Sequence, residues 1–96
     1  MIVTTTPEIA GKTIIDYKGI VFGEELGTQY SLSFDIQKNM EKFELLIAKA
    51  KQNALNKLVF NAEQRGANAV VGVSFAVDYE SASIVVSATG TAVVIN

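Results

Sequence analysis

Two predicted strands in the second half of this chain are small or apolar on both faces, whereas only one segment has helical periodicity. In GANAVVGVSFAVDYE, residues 66–80, alternation places one set of side chains on one face (Ala69, Val71, Val73, Phe75, Val77, Tyr79) and a second set on the other (Val70, Gly72, Ser74, Ala76). The segment Ser83–Ile95 repeats the pattern. Because one helix covers one face of a sheet, the other face requires a second covering layer.

The most economical covering layer is another copy of the same chain. An exposed apolar patch of roughly a few hundred Å² is near the limit for a soluble monomer. Charge is also divided, since residues 38–65 carry a net +3 and the remainder −5. This division favours a contact between the helix side of one copy and the sheet and loop side of the next. A head-to-tail contact of this kind builds a ring or a filament, and we expect a ring.

The predicted order of elements is strand, strand, helix, strand, strand. Apolar residues recur at steps of three and four over 36–65, which predicts one long helix, and Gly66 follows as its C-terminal cap. Ser33, Asp35 or Asn39 is expected to cap its first turn. Strands are predicted at 2–6, 12–24, 68–79 and Ser83–Ile95, with the last two joined like a hairpin. The fold class is therefore α+β, a β-β-α-β-β subunit with one long helix on an antiparallel sheet.

Composition excludes several chemistries. The 96 residues are predicted to form a single domain, 1–96, and they include neither Cys nor His. Disulfides, thiolate nucleophiles, Ser-His-Asp catalysis and the usual soft metal ligands are therefore absent. A net charge of −2 argues against nucleic acid as a partner. No apolar run reaches the ~20 residues that cross a bilayer, so we expect a cytoplasmic protein without a membrane partner.

Four segments of the chain resemble one known family. MIVTTTPEIAGKTI at the start, GIVFGE at 19–24, GANAVVGVSFAVDYE and VSATGTAVVI resemble the YbjQ-like proteins, described as heavy-metal-binding domains of unknown function. The resemblance implies a small dodecin-like α+β subunit and assembly into a homopentamer, so the expected partner is the chain itself. The chain departs from the family between residues 26 and 39, where it lacks a longer stretch that ends in a glycine-glycine-arginine-serine element.

Two acidic pairs are the candidate metal ligands. Asp78 and Glu80 end the third predicted strand on the same face, and Glu24 and Glu25 lie beside Gly23. Paired carboxylates can hold a hard divalent cation such as Ca²⁺, Mg²⁺ or Mn²⁺, the only cofactor class that the sequence suggests. The alternative for both pairs is a solvated strand end without a ligand. A ring that brought the two pairs together from adjacent copies would favour the site.

Glycines and lysines have simpler interpretations. Gly72 and Gly90, each within a predicted strand, indicate close approach of a neighbouring backbone. Lys49, Lys51 and Lys57 are interpreted as the solvated face of the helix, with ion pairs to a neighbouring subunit as the alternative.

Three functions remain compatible with the sequence. The first is a homo-oligomeric module that binds a small ligand or cation between subunits or on the ring axis. The second is an enzyme that uses carboxylates or a tyrosine (Tyr17, Tyr30 or Tyr79) in a cleft between subunits, and the lack of His and Cys weighs against it. The third is a scaffold without a ligand.

Overall fold

The computed structural model describes residues 1–28, 36–80 and 83–96, and for 27–28, 36–40, 43, 80 and 83 it describes the backbone alone. The elements are β1 (Ile2–Val3), β2 (Ile14–Thr28), α1 (Ile36–Gln64), β3 (Ala69–Glu80) and β4 (Ser83–Ile95). The α+β class and the β-β-α-β-β order are confirmed. Of the predicted helix caps, Ser33 and Asp35 lie outside the described residues and Asn39 lies inside the helix.

The four strands form one mixed sheet in the order β1-β3-β4-β2. Strand β4 pairs antiparallel with both β2 and β3, whereas β1 pairs parallel with β3 through Ile2–Ala69 and Val3–Val70. The prediction of a wholly antiparallel sheet was therefore wrong at this edge. Because β4 occupies the inner edges of β2 and β3, β1 is left with the outer edge of β3.

Helix α1 packs along one face of the sheet, mainly over β2 and β4. Small and branched residues at four-residue spacing form its buried stripe, namely Ala50, Ala54, Leu58 and Ala62. They pack against Val21 of β2 and Val86 and Ala88 of β4. A Cβ added to Gly23 would collide with the carbonyl oxygen of Ala54, so the backbones of β2 and α1 meet directly there.

The helix ends as the sequence predicts. Gly66 has a φ of +79°. Its amide donates to the Glu63 carbonyl at 2.9 Å, and the Ala67 amide donates to the Ala62 carbonyl at 3.1 Å. These two bonds form a Schellman motif, which satisfies carbonyls that the last helical turn leaves without partners.

A bulge in β3 exchanges the faces of the strand. Pairing with β4 shifts between Val71 and Ser74, and Gly72 has a φ of +63°, which is a G1-type bulge. Val70 and Val73 therefore both belong to the cluster beneath the helix, whereas Ala69 and Val71 belong to a second cluster on the opposite face. The predicted single face from Ala69 to Tyr79 was wrong, because uniform alternation assumes an unbroken ladder. Nothing lies within 4 Å of a Cβ added to Gly72, so this glycine serves the bulge rather than a close contact. A Cβ added to Gly90 would lie 2.7 Å from Val70 Cγ1 and 3.3 Å from the Val71 carbonyl oxygen, so the space there is limited first by side chains and only then by a neighbouring backbone.

Among the described residues, the sheet face opposite the helix is covered at one end and is otherwise exposed to solvent. Ile9 and Ile14 cover one end of it, where Ala69, Val71, Val93 and Ile95 are buried. The rest, which we call the open face, consists of three rows that continue to the β3–β4 hairpin: Ile20, Phe22, Glu24 and Leu26 of β2; Thr91, Thr89, Ser87 and Val85 of β4; and Ser74, Ala76 and Asp78 of β3. Along β2 the open face exposes Ile20 by 59%, Phe22 by 53% and Leu26 by 62%.

The subunit is long and thin, with principal extents of 54 × 22 × 16 Å. The 29 residues of α1 span about 43 Å at 1.5 Å per residue. The first fully buried residue of the helix is Ala50 among those whose side chains are described. Leu46 and Ile47, one turn earlier, are partly buried against the same core.

Candidate functional site

Glu24 and Glu25 are neighbours in sequence but face opposite sides of the sheet. Glu25 pairs with Val86 beneath the helix, and Glu24 pairs with Ser87 on the open face. Because successive side chains of a strand point to opposite faces, the two carboxylates cannot approach one ion together. The structure does not bring this candidate pair into one site.

Glu25 is engaged by the helix. Its Oε2 lies 2.6 Å from Lys57 Nζ, and its Oε1 accepts a hydrogen bond of 3.4 Å from Asn53 Nδ2. The hydrogen bond from Lys57 holds the pKa of the Glu25 carboxyl below its ordinary value, with smaller contributions from Asn53 and Lys49. A carboxylate that already has a cation partner is a poor candidate metal ligand.

Glu24 and Asp78 lie on the open face, on the two strands that flank β4. Asp78 pairs with Val85, and Glu24 pairs with Ser87. Their Cα atoms are therefore about 12 Å apart, from a strand spacing of about 4.8 Å and a rise of about 3.3 Å per residue. Glu80 follows Asp78 on the same side of β3 and pairs with Ser83. The structure thus assembles an acidic half of the open face from Glu24, Asp78 and the backbone position of Glu80.

No group of three or more Asp and Glu side chains comes within reach of one metal ion in the part of the chain whose side chains are described. The arrangement of Glu24 and Asp78 explains why, since β4 separates them. The assignment of Asp78, Glu80, Glu24 and Glu25 as metal ligands stays a prediction.

Three helix side chains donate hydrogen bonds to carbonyls on the outer edge of β2, and the sequence analysis did not identify them. Lys57 Nζ donates to the Glu24 carbonyl at 2.9 Å, Asn61 Nδ2 donates to the Phe22 carbonyl at 2.7 Å, and Arg65 Nη1 donates to the Lys18 carbonyl at 3.2 Å. The three donors recur every four residues, which is a signal that the sequence contains. Lys57 was interpreted as a solvated lysine, or one bound to another subunit, and it instead pairs within the chain.

A shallow depression of about 520 Å³ lies between α1 and the outer edge of β2. Phe22, Glu24, Asn56, Lys57 and Phe60 line it, together with Gly23 and Asn61. Phe60 is 59% exposed and Phe22 is 53% exposed, so both aromatic rings are in contact with solvent in a single chain. The depression has the volume of a small-molecule site but lacks the enclosing walls of one.

A second depression of similar volume, about 520 Å³, lies at the covered end of the sheet, with Glu8, Lys12 and Tyr17 among its lining residues. Nearby, Lys18 Nζ lies 2.9 Å from Asp16 Oδ2. The hydrogen bond from Lys18 lowers the pKa of the Asp16 carboxyl. Tyr17 is 68% exposed, so its phenol is not held in a cleft of one subunit.

The described part of the chain has no helix with the length and hydropathy that a membrane crossing requires.

A family model with the description "Putative heavy-metal-binding", from the YbjQ group, matches residues 1–96. Proteins named UPF0145 are similar over nearly the whole chain. A relative from Actinobacillus pleuropneumoniae is 43% identical over 107 residues, with 99% of each chain covered. A relative from Clostridium botulinum strain Eklund 17B is 40% identical over 107 residues, with 97% of each chain covered.

Another relative, from Listeria welshimeri, is 41% identical over 108 residues, which covers 99% of this chain and 96% of that protein. These alignments are longer than the 96 residues of this chain, so they contain gaps.

The fold also matches a solved structure. A crystal structure of a protein of unknown function in the DUF74 family, from Pediococcus pentosaceus, superimposes with a TM-score of 0.67 at 28% sequence identity. The match covers 100% of this chain and 98% of that one. The architecture of one helix on a four-stranded sheet is therefore shared with that protein.

Proposed function

We propose, from the premise that this chain belongs to the YbjQ family, that it is a self-assembling binding module. Its copies form a homo-oligomeric ring, pentameric as the family resemblance implies, and a small ligand or a divalent cation binds between subunits or on the ring axis. The open face carries this proposal, because Ile20, Phe22 and Leu26 are each more than half exposed along one strand. An apolar row of this length on a solvated sheet favours a covering partner.

The features of a single subunit support assembly before binding. Its two described depressions are open to solvent, and its described carboxylates do not converge. A site with several ligands therefore needs side chains from more than one copy. A ring repeats Glu24 and Asp78 around an axis, which is the simplest way to multiply the carboxylates available to one ion.

The donor chemistry favours a hard cation over a soft one. The chain supplies carboxylate, carbonyl and hydroxyl oxygens but neither thiolate nor imidazole, because it lacks Cys and His. Oxygen ligands suit Ca²⁺, Mg²⁺ and Mn²⁺, whereas soft ions prefer sulfur or nitrogen. The cation proposed here is therefore of the hard class, although the family description speaks of heavy metals.

Catalysis has less support than binding. A catalytic acid usually owes a shifted pKa to burial or to a neighbouring carboxylate. Asp16 and Glu25 both have their pKa lowered chiefly by a hydrogen bond from a lysine, Lys18 and Lys57 respectively. Such shifts stabilise the ionised form, which is what structural ion pairs do.

Native mass spectrometry tests the proposal in one series. The protein is sprayed alone and after equilibration with Ca²⁺, Mg²⁺, Mn²⁺ or Zn²⁺, and subunit number and retained mass are measured together. We expect a pentamer that retains a hard cation in a fixed ratio to the ring, and a Glu24→Gln/Asp78→Asn variant whose rings, sprayed at a protein concentration high enough to populate them, have lost the cation.

Three other results would change the proposal. A monomer at micromolar concentration would refute the ring. A pentamer with no bound mass would leave a scaffold or a module for organic ligands. Retention of Zn²⁺ alone would contradict the choice of a hard cation.

A further inference from the structure

The open face is acidic wherever its charged side chains are described. Glu24 and Asp78 are the charged residues there with described side chains, and Glu80 continues the series along β3. The ion pairs among the described residues involve Asp16 and Glu25, which are not part of this face. The open face therefore presents an apolar row along β2 beside unneutralised carboxylates.

One side of helix α1 presents the complementary pattern. Residues seven apart lie almost directly above one another on a helix, so Lys42, Lys49 and Asn56 share one side. Leu45 and Phe60 lie close to that line and are 71% and 59% exposed. Lys42 and Lys49 are exposed, and neither takes part in the ion pairs of the described residues. We call this side, Lys42, Leu45, Lys49, Asn56 and Phe60, the outer strip.

The two surfaces also agree in dimensions. The outer strip runs about 27 Å from Lys42 to Phe60, and its two lysines are about 10 Å apart along the helix. The open face runs about 20 Å from Ile20 to Leu26, and its carboxylates on Glu24 and Asp78 originate about 12 Å apart. Each surface thus combines exposed apolar residues with two like charges at a similar spacing, and the charges are opposite between the surfaces.

We propose that the outer strip of α1 in one copy docks on the open face of the next copy, with Lys42 and Lys49 against the acidic half that holds Glu24 and Asp78. This inference rests on the ring proposed above, not on its cation, and assigns the contact surfaces of the ring; carboxylates paired with Lys42 and Lys49 would be poor ligands for a cation. Because the two surfaces differ, the contact is heterologous and propagates around a ring. It also covers Lys42, Leu45 and Lys49, which are exposed in the first half of α1.

Charge reversal tests this contact. Glu24→Lys reverses the open face, and Lys42→Glu reverses the outer strip at a site that is not in contact with Glu25. Like charges placed opposite each other oppose association, so each variant is expected to raise the subunit dissociation constant at least tenfold, measured by sedimentation velocity over a concentration series. Glu8→Lys and Lys12→Glu make the same charge changes in the loop between β1 and β2 and are expected to assemble like the wild type.

An equimolar mixture of Glu24→Lys and Lys42→Glu supplies the decisive measurement. When the two variants alternate, the open face of Glu24→Lys meets the strip of Lys42→Glu, and both of these surfaces are reversed. The open face of Lys42→Glu meets the strip of Glu24→Lys, and both of these are unchanged, so opposite charges face each other at every contact. Assembly should therefore return in the mixture although it is weak in each variant alone. An odd-numbered ring would keep one like-charged contact, so the mixture should favour even-numbered or open species.

The possible failures can be told apart. A monomeric wild type would overturn both the ring and this contact. A wild-type ring whose two reversed variants assemble like their loop controls would overturn the contact alone. If the mixture forms no more even-numbered or open species than each variant forms alone, the pairing of these two surfaces is overturned, and recovery when Glu24→Lys is mixed with the wild type would indicate a symmetric contact between open faces instead.

Folding of each variant is checked by circular dichroism before assembly is interpreted. If a reversed variant does not fold, Glu24→Gln and Lys42→Gln replace it, and the dissociation constant is measured between about 0.05 and 0.5 M salt. The wild-type constant should rise with salt because screening weakens ionic contacts. The neutralised variants should show a smaller rise, and an equal rise would overturn the proposal.

Discussion

The side-chain amide of Asn61 donates a hydrogen bond of 2.7 Å to the backbone carbonyl of Phe22. A helix side chain thereby satisfies an acceptor on the outer edge of β2, and Lys57 and Arg65 do the same for the carbonyls of Glu24 and Lys18. Unpaired strand edges are templates for pairing with other chains. The helix thus occupies carbonyl groups that a strand of another chain would use to pair with this edge.

Asn61→Ala is expected to lower the free energy of unfolding by about 1 kcal/mol, because the Phe22 carbonyl loses its donor. The measurement is urea denaturation followed by circular dichroism, at a protein concentration where the protein is dissociated. Asn56→Ala is the matched control, since Asn56 is exposed on the same helix and accepts its hydrogen bond from Gln52 rather than contacting β2. Equal effects of the two substitutions would contradict a role of Asn61 at the strand edge.

Gly23→Ala should be more destabilising than Gly90→Ala. The added methyl at Gly23 meets backbone atoms of Ala54 and Leu58, which move only if the helix moves. The methyl at Gly90 lies nearest to side-chain carbons of Val70 and Val73, at 2.7 and 3.1 Å, which can shift by a few tenths of an ångström without moving the backbone of the helix. Overpacking costs about 1–3 kcal/mol, so we expect about 3 kcal/mol or more at Gly23 and about 1 kcal/mol at Gly90, measured by the same denaturation. The reverse order would show that the contact between helix and strand is looser than described.

Leu58→Ala and Leu45→Ala compare the stability cost of truncating a buried leucine and an exposed leucine on the same helix. Leu58 is fully buried, whereas Leu45 is 71% exposed. Truncation of a buried leucine costs about 2–5 kcal/mol of unfolding free energy, and truncation of an exposed one costs little. We expect Leu45→Ala to leave unfolding nearly unchanged at concentrations where the protein is dissociated. A large loss under those conditions would place Leu45 in the subunit core.

The ion pair between Glu25 and Lys57 predicts a pH dependence. The pKa of Glu25 is lowered in the folded chain, so the pair stabilises the fold at pH values above the ordinary glutamate pKa and loses this contribution as the pH falls through the folded pKa. Carbon-13 NMR of the side-chain carboxyls should show Glu25 titrating below its ordinary value. In Lys57→Met the Glu25 pKa should return towards that value, whereas Lys12→Met should not change it. An unchanged Glu25 titration in Lys57→Met would refute the assigned cause.

Local signals in the sequence predicted the elements because each depends on neighbouring residues. The three- and four-residue apolar series and Gly66 predicted the helix and its end, which the structure has at Gln64 followed by a Schellman motif. The bulge at Gly72 was not predicted, because a glycine within an apolar strand is compatible with either a bulge or a close contact. That single residue decided which valines of β3 face the helix.

The candidate site was less predictable than the fold. The sequence showed Glu24 and Glu25 as a pair, but strand alternation and the helix position made one an ion-pair partner and left the other on the open face. The row of Lys57, Asn61 and Arg65 was present as a four-residue spacing. The role of this row as a set of hydrogen-bond donors depends on the carbonyl oxygens of β2. Only the packing of the helix on the sheet brings those oxygens within 3.2 Å of the donor nitrogens.

Periodicity, helix caps and composition are local properties, so they were enough to predict the α+β class, the order of the elements and the chemistry available to the chain. The parallel edge strand, the face that each side chain occupies and the partners of each charge emerged only in the folded chain. Those features depend on strand register and helix position, and residues far apart in the chain set both of them together.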